Sequence, residues 1–144
     1  DKPNGLGTFY YLRNDRFKGD KFVGDYKNGK RNGLGTFYYL RNDKYKGDKF
    51  VGEYKNGKKH GKGYYFYNNG SEFVGEYQYG LRNGEGIFTL SNGRVRQEGV
   101  WKNDKFQYPK KISRMWSQKI KSLVEVVNKR HKNTSYITFI ITYT

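Results

Sequence analysis

The chain alternates aromatic residues and glycines at a spacing of two positions. In the segment "FVGDY", Phe22, Gly24 and Tyr26 fall at every second position, so in a β-strand they share one face while Val23 and Asp25 take the other. Two Asn-Gly pairs follow in "KNGKRNG", and both residue types accept the positive φ of a tight chain reversal. The next segment, "GLGTFYYL", again places glycines and rings on one face. The pattern therefore predicts a β-hairpin whose packed face alternates rings with glycines.

This hairpin is one unit of an internal repeat. Residues 4–31 recur as residues 32–59 with four conservative changes, a shorter copy spans 60–82, and a fourth begins at Asn83 before the pattern decays. Such a period indicates an array in which each unit packs mainly on its neighbours. A glycine weakens a lone strand, but a ring from the adjacent strand can cover the bare backbone and restore the buried area. We therefore expect an all-β fold, an elongated single-layer antiparallel sheet of stacked hairpins that curves or twists into a trough.

Each unit carries the order aromatic-x-Gly-x-aromatic-x-x-Gly-x-x-His/Asn-Gly-x-Gly-x-aromatic. The order occurs in residues 22–37, 50–65 and 73–88, and a degenerate fourth copy has Asp104 in place of a glycine. This register resembles the MORN repeat, named for membrane occupation and recognition nexus, and the resemblance covers roughly residues 4–104. Eight positions matched three times in series make a specific signal.

The resemblance implies a non-catalytic scaffold in cytoskeletal, ciliary or membrane-junction assemblies. Its trough, or an exposed aromatic edge, would hold a helix or an extended segment of a partner protein. The repeated rings then either form the core or contact that partner. The candidates for these two roles are Tyr26, Phe37, Tyr54, Tyr65, Tyr77, Phe88, Trp101 and Trp116.

The first two units each carry an insert, "LRNDRFKGDK" and "LRNDKYKGDK". The inserts should lengthen the same end of two hairpins and bring their cations into register as a basic ridge. Each holds four cations and two Asp, a net charge of +2, so the ridge is either an ordinary solvated face or a binding surface. The candidate anion or lipid contacts, with two further lysines near the C-terminus, are Arg13, Arg16, Lys18, Lys21, Arg41, Lys44, Lys46, Lys49, Lys110 and Lys111.

The periodicity changes after the repeat array, which we assign to residues 1–107. Within 108–144, a basic segment with Ser113 at its start predicts an amphipathic helix. Its apolar stripe is formed by Ile112, Met115, Trp116, Ile120, Leu123, Val124 and Val127. The helix either caps the open end of the sheet, which its Trp and valines favour, or lies on an anionic membrane or a partner. The final "SYITFIITYT" predicts a strand that adds to a sheet edge.

Composition and motifs limit the function classes. The formal charge of +16 favours an acidic protein, anionic lipids or, less well because the rings are needed for packing, nucleic acid. The sequence lacks a nucleophile elbow, a Walker loop and a His-Glu-x-x-His helix. His60 occupies the repeat's His/Asn position and His131 lies in a basic tail, so no metal site is predicted. We expect no enzymatic activity and no cofactor.

Two functional hypotheses remain. The favoured one is a protein-binding scaffold, and the alternative is a peripheral module that binds anionic phospholipids through the basic inserts and the C-terminal helix. The absence of Cys is typical of an intracellular protein, here cytoplasmic and associated with the cytoskeleton or a membrane. A homodimer or a larger complex is compatible with a sheet that has open edges. The chain enters mid-motif at Asn4 without an initiating Met, which predicts a fragment or a processed product.

Overall fold

The computed structural model describes residues 2–12, 15–132 and 137–141. Within these residues the chain forms ten strands and two short helices. In chain order the elements are β1 (Gly5–Tyr11), β2 (Lys21–Lys27), β3 (Lys30–Tyr38), β4 (Lys49–Lys55), β5 (Lys58–Phe66), β6 (Glu72–Gln78), β7 (Leu81–Thr89), β8 (Val95–Lys102), β9 (Lys105–Pro109), α1 (Arg114–Lys121), α2 (Leu123–Lys132) and β10 (Ile137–Ile141).

All ten strands belong to one sheet. Strands β1 to β9 lie side by side in chain order and pair antiparallel, which confirms the predicted meander of stacked hairpins. Strand β10 pairs with β1, so the predicted addition of the tail to a sheet edge is also confirmed. This last pairing is parallel, because the helices carry the chain back across the sheet before it reaches β1. The open edges of the sheet are therefore β9 and β10.

One face of the sheet, here called the ring face, holds an aromatic core. Phe22, Phe50 and Phe73 are completely buried, and each ring lies over a pair of glycines on its own strand and the next. A Cβ added to Gly24 would lie 2.6 Å from Gly35 Cα and 2.7 Å from Phe22 Cζ, so only hydrogen fits there. The predicted packing of rings over glycines is confirmed for Gly24 and Gly35, but it is wrong for Gly33, which faces the Asp25 side chain.

Each unit is joined to the next by an edge-on ring contact. The ring of Tyr54 stands against Phe22 at 5.2 Å between centroids and an interplanar angle of 76°. Tyr77 repeats the contact on Phe50 at 5.1 Å and 79°. Trp101 completes the series on Phe73 at 5.1 Å and 81°. Because this geometry is favourable for aromatic pairs, the aromatic core continues from each repeat to the next.

The opposite face, here called the back face, is covered by the helices. Helix α1 contacts β5 and β6, and α2 contacts β2, β3 and β4. Ile120 packs there with Tyr64 and Val74 in a second buried cluster. The predicted cap over the open end of the array is therefore wrong. Three repeats place a valine after their first Phe, as Val23, Val51 and Val74, and the resulting apolar row on the back face requires a cover of its own.

The predicted helix forms as two segments. Ser113 is the N-cap of α1 and accepts a hydrogen bond from the Trp116 amide, and Ser122 separates α1 from α2. Ile120 and Val127 are buried as the stripe predicts, but Met115 is 71% exposed and does not belong to it. The two Nη atoms of Arg130 bind the Asp25 carboxylate at 2.6 and 3.0 Å, which ties α2 to β2. Neither helix among the described residues is long and apolar enough to cross a membrane.

Candidate functional site

A groove of about 630 Å³ crosses the ring face, and we call it the tyrosine groove. Nine aromatic residues, six cations and one carboxylate are among the residues that line it. The aromatic members are Phe17, Phe37, Tyr39, Tyr45, Tyr54, Tyr65, Tyr67, Tyr77 and Tyr79. The charged members are Arg16, Arg31, Arg41, Lys58, Lys59, Arg82 and Asp104.

A row of three cations follows from the repeat itself. Arg31, Lys59 and Arg82 are each the second residue of a strand, on β3, β5 and β7. Each cation lies over rings of the core: the Arg31 guanidinium carbon is 4.9 Å from the Phe37 ring centre. Lys59 Nζ is 5.2 Å from the Phe50 ring centre, and the Arg82 guanidinium carbon is 4.6 Å from that of Trp101. The faces of the rings attract these cations, so each of the three repeats holds one cation of the row in place.

The three cations differ in what else they bind. Arg82 Nε donates to Asp104 Oδ1 at 3.1 Å, within an ion pair. Arg31 donates from Nη1 to the Tyr11 hydroxyl and from Nη2 to the Gly57 carbonyl, at 3.0 and 2.8 Å. Its buried Nε has no hydrogen-bond partner. Among the described residues, neither Arg31 nor Lys59 has a carboxylate partner.

The tyrosines of the groove add hydroxyl groups. Tyr39, Tyr54, Tyr67 and Tyr77 make no side-chain hydrogen bond to the described part of the chain, whereas Tyr65 donates to Asp48. Burial raises the pKa of Tyr54 and of Tyr77 well above the ordinary value, and it raises the pKa of Tyr67 as well. The hydroxyls of Tyr54, Tyr67 and Tyr77 are therefore protonated at neutral pH and available to donate. The groove presents donors and cations together, which suits a ligand rich in carbonyl and carboxylate oxygens.

The eight predicted aromatic residues are mostly core. Six of them are buried on the ring face: Tyr26, Phe37, Tyr54, Tyr65, Tyr77 and Trp101. Phe88 is partly buried against the same cluster, and Trp116 packs on the back face. Four of the buried rings, those of Phe37, Tyr54, Tyr65 and Tyr77, also line the groove. Burial in the core therefore does not prevent these side chains from lining the groove as well.

The predicted basic residues of the inserts, as far as the structure describes them, do not form a single ridge. Arg16 and Arg41 line the groove, while Lys21 and Lys49 lie over rings of the back face, Tyr38 and Phe66. The side chains of Lys18, Lys44, Lys46 and Lys111 are exposed. Lys110 pairs with Glu85 at 2.5 Å, and Glu85 raises the pKa of the lysine. Arg13 lies outside the described residues. Lys21 and Lys49 begin β2 and β4, whereas Arg16 and Arg41 lie in the connecting segments, so insert position alone could not place them.

The acids of the inserts have a role that sequence reasoning missed. Asp20 is fully buried, and its Oδ1 accepts hydrogen bonds from the Leu40 and Arg41 amides of the next insert at 2.9 and 3.0 Å. Asp48 Oδ1 accepts from the Asn68 amide in the same way at 2.7 Å. Burial is the main cause of the raised pKa of Asp20. Both acids precede the same Lys-Phe pair. They therefore occupy equivalent positions of the repeat, which could have indicated a structural role.

The opposite, tight-turn edge holds a second cavity of about 890 Å³ with lysines and His60 on its wall. The turns there are tied to one another by the His/Asn position of the repeat. Asn4 Oδ1 accepts from the Asn28 amide at 2.9 Å, and Asn32 Oδ1 accepts from the Asn56 amide at 3.3 Å. This position is thus occupied by structural contacts. In the described part of the chain, no group of three or more His, Cys, Asp or Glu side chains could hold a metal ion.

Comparison with known families agrees with the three motif copies that begin at Phe22, Phe50 and Phe73. The family model of the MORN repeat matches residues 1–16, 22–43, 50–72 and 73–93, which together make up more than half of the chain. A search of the curated proteins found no match to the chain. The matched segments contain the strands and turns that build the tyrosine groove from β3 to β7.

Proposed function

Since the chain belongs to the MORN-repeat family, whose members generally act as modules for protein or membrane interaction, we propose that it is a non-catalytic scaffold that binds a segment of a partner protein in the tyrosine groove. The partner lies along the ring face, across several repeats. The larger assembly is cytoskeletal, ciliary or membrane-associated.

The observation that carries this proposal is the set of unused donors along the groove. Four tyrosine hydroxyls and two cations face a cavity that extends over three repeats, and the described chain supplies no acceptor for the hydroxyls. A peptide offers backbone carbonyls and side-chain oxygens at regular intervals, so it matches such a surface. The rings beneath are fixed by packing, which limits the conformational entropy lost on binding.

The proposal is tested with peptides from a random twelve-residue display library, selected on the complete 144-residue chain. Tyr79→Ala removes a ring that is 70% exposed on the wall of the groove, so it should leave the fold intact. Tyr108→Ala is the matched control, because Tyr108 is also exposed but lies on β9 outside the groove. We expect selected peptides to bind less tightly to the Tyr79 variant and equally well to the control. Selection that yields no groove-dependent peptide would contradict the proposal.

A second function is supported by the outer surface of the helices. Arg114, Met115, Lys119 and Lys129 are exposed on the two helices, and Glu125 is the one acid in them. Cations around an exposed apolar side chain suit the surface of an anionic leaflet, at about 1 kcal/mol per cation. Since the groove lies on the other face of the sheet, both surfaces could be occupied at once.

The membrane function is tested by sedimentation with vesicles of phosphatidylcholine, with and without phosphatidylserine. It predicts cosedimentation with the anionic vesicles only. Charge reversal of Lys18, Lys46 and Lys111, all exposed, should weaken it if inserts and tail both contact the lipid. Charge reversal of Arg114 and Lys119 tests the helix surface separately. Cosedimentation that none of these changes affects would contradict this second function.

A further inference from the structure

We propose that the tyrosine groove binds an acidic, extended protein segment whose carboxylates pair with Arg31 and Lys59 as the chain's own Asp104 pairs with Arg82. This inference rests on the proposed function and specifies the chemistry of its partner.

The last turn of the array shows how a cation of the groove takes a carboxylate. Asp104 Oδ1 accepts from the Arg82 amide at 2.9 Å and from Arg82 Nε at 3.1 Å, and the Asp104 carbonyl accepts from Nη2 at 3.0 Å. Arg31, which occupies the same position two repeats earlier, makes the corresponding backbone contact from Nη2 to the Gly57 carbonyl at 2.8 Å. The residue at the Asp104 position is there a glycine, so the carboxylate is missing.

The two inner positions have room for a carboxylate from outside. Gly57 and Gly80 occupy the place of Asp104 in the turns that face Arg31 and Lys59. A Cβ added to Gly80 would meet nothing within 4 Å, and one added to Gly57 would meet only Lys30 Cβ, at 3.9 Å. Neither cation is paired with a carboxylate of the described chain, whereas Arg82 is.

The charge of the groove favours an acidic ligand. Six cations and one acid line it, and two of those cations, Arg41 and Arg82, are already paired with carboxylates of the chain. The remaining positive charge is uncompensated within the groove. A partner with carboxylates at matching positions would gain both electrostatic attraction and specific hydrogen bonds.

The spacing favours an extended chain. Arg31 and Lys59 lie on β3 and β5, which are two strand spacings apart, or about 10 Å. An extended segment in the polyproline II conformation advances about 3.1 Å per residue with three residues per turn, so it covers one repeat in three residues and presents positions i and i+3 on the same side. Its acidic residues should therefore stand at positions i and i+3. A helix would need six or seven residues for the same step.

The other anionic ligands fit less well. A lipid headgroup at a flat bilayer reaches projecting cations, whereas Arg31 and Lys59 are partly buried between rings. Single-stranded nucleic acid needs open ring faces for stacking, but Tyr54 and Tyr77 are each 6% exposed. Both ligands therefore serve as controls in the test.

The test adds or removes a carboxylate in the turns of the full-length chain. Gly80→Asp should place an acid against Lys59, and Gly80→Asn is its uncharged match. Both side chains tolerate the positive φ of that position, and Asp104 itself has a φ of 70°. The probes are fluorescent peptides with two Asp at i and i+3 in a Ser/Gly background, and a permuted peptide with the two at i and i+1.

We expect Gly80→Asp to weaken binding of the i, i+3 peptide about threefold to fivefold relative to Gly80→Asn, with less effect on the permuted peptide. Asp104→Asn should tighten binding of a peptide with a third Asp at i+6 by a similar factor, because it removes the negative charge that is paired with Arg82. Equal affinities for Gly80→Asp and Gly80→Asn would overturn the inference. So would stronger groove-dependent binding of a DNA oligonucleotide or a phosphatidylserine vesicle.

The outcome separates the two levels of proposal. If library peptides bind in a Tyr79-dependent manner but carry no acidic residues, the acidic partner is wrong and the protein-binding groove stands. If no peptide depends on Tyr79, the proposed function itself fails.

Discussion

The Tyr65 hydroxyl donates a hydrogen bond of 2.6 Å to Asp48 Oδ2. Because the other oxygen of the same carboxylate accepts from the Asn68 amide, Asp48 fastens the second insert to the following hairpin. The bond is one cause of the raised pKa of Tyr65, after burial.

Removal of this carboxylate should weaken the array. We expect Asp48→Ala to lower the free energy of unfolding by about 2 to 3 kcal/mol, since one buried and one partly buried donor lose their acceptor. Asp48→Asn, which keeps an acceptor oxygen for the Asn68 amide, should cost less. Urea unfolding followed by circular dichroism measures both, with Glu125→Ala on the exposed helix surface as the control. Equal stabilities for the Ala variant and the native chain would contradict this role.

The contact of Gly63 with Phe50 gives a second prediction. A Cβ on Gly63 would overlap the Phe50 ring, and no backbone atom is as close. Gly63→Ala should therefore lower stability by about 1 to 3 kcal/mol through overpacking. In the Phe50→Leu background the same substitution should cost much less. A double-mutant cycle measures the coupling, and additive effects would show that the ring does not require this glycine.

Two substitutions of Tyr54 distinguish the role of its ring in the core from a role in binding. Tyr54→Ala removes a ring that packs on Phe22 and Phe50, and we expect a loss of about 3 to 5 kcal/mol in unfolding free energy. Tyr54→Phe removes only a hydroxyl that has no partner in the described chain, so stability should change little. Binding of a groove peptide should nevertheless fall with Tyr54→Phe. A large stability loss in the Phe variant would indicate that the hydroxyl serves the fold.

His131 predicts a pH dependence of helix packing. Burial is the main cause of its lowered pKa, with Arg130 adding to the effect and Asp25 opposing it. A histidine whose folded pKa lies below its unfolded value stabilises the fold in its neutral form, and that contribution is lost as pH falls from about 6.5 through the folded pKa. We expect the unfolding free energy to decrease over this range, and less so in His131→Gln. An NMR titration of the imidazole checks the direction, and a pKa above the ordinary value would contradict it.

Most of the sheet was predictable from the local periodicity of the sequence. The alternation in Phe22, Gly24 and Tyr26 determines which side chains share a face, and the Asn-Gly pairs determine where the chain reverses, so hairpins and their stacking were predictable. The row of Arg31, Lys59 and Arg82 occupies one repeat position and could have been recognised by the same reasoning. Its relation to Gly57 and Asp104 could not, because it depends on which neighbouring turns approach each strand.

The position of the helices was harder to predict. The stripe through Ile120 and Val127 indicates which side of a helix is buried, but it does not specify which surface receives it. The surface that receives the helices is indicated by Val51 and Val74, whose alternation with the core rings leaves apolar side chains on the back face. The inserts show the same limit, because their buried Asp20 and Asp48 accept hydrogen bonds from distant backbone amides.

The most direct test of the tyrosine groove as the binding surface is an amide chemical-shift map of the full-length chain with a library-selected peptide. We expect the largest shifts around Arg31, Lys59 and residues 79–82, and none in α1 or α2. Shifts confined to the helices, or to the exposed insert residues around Lys18 and Lys46, would contradict a partner site in the groove.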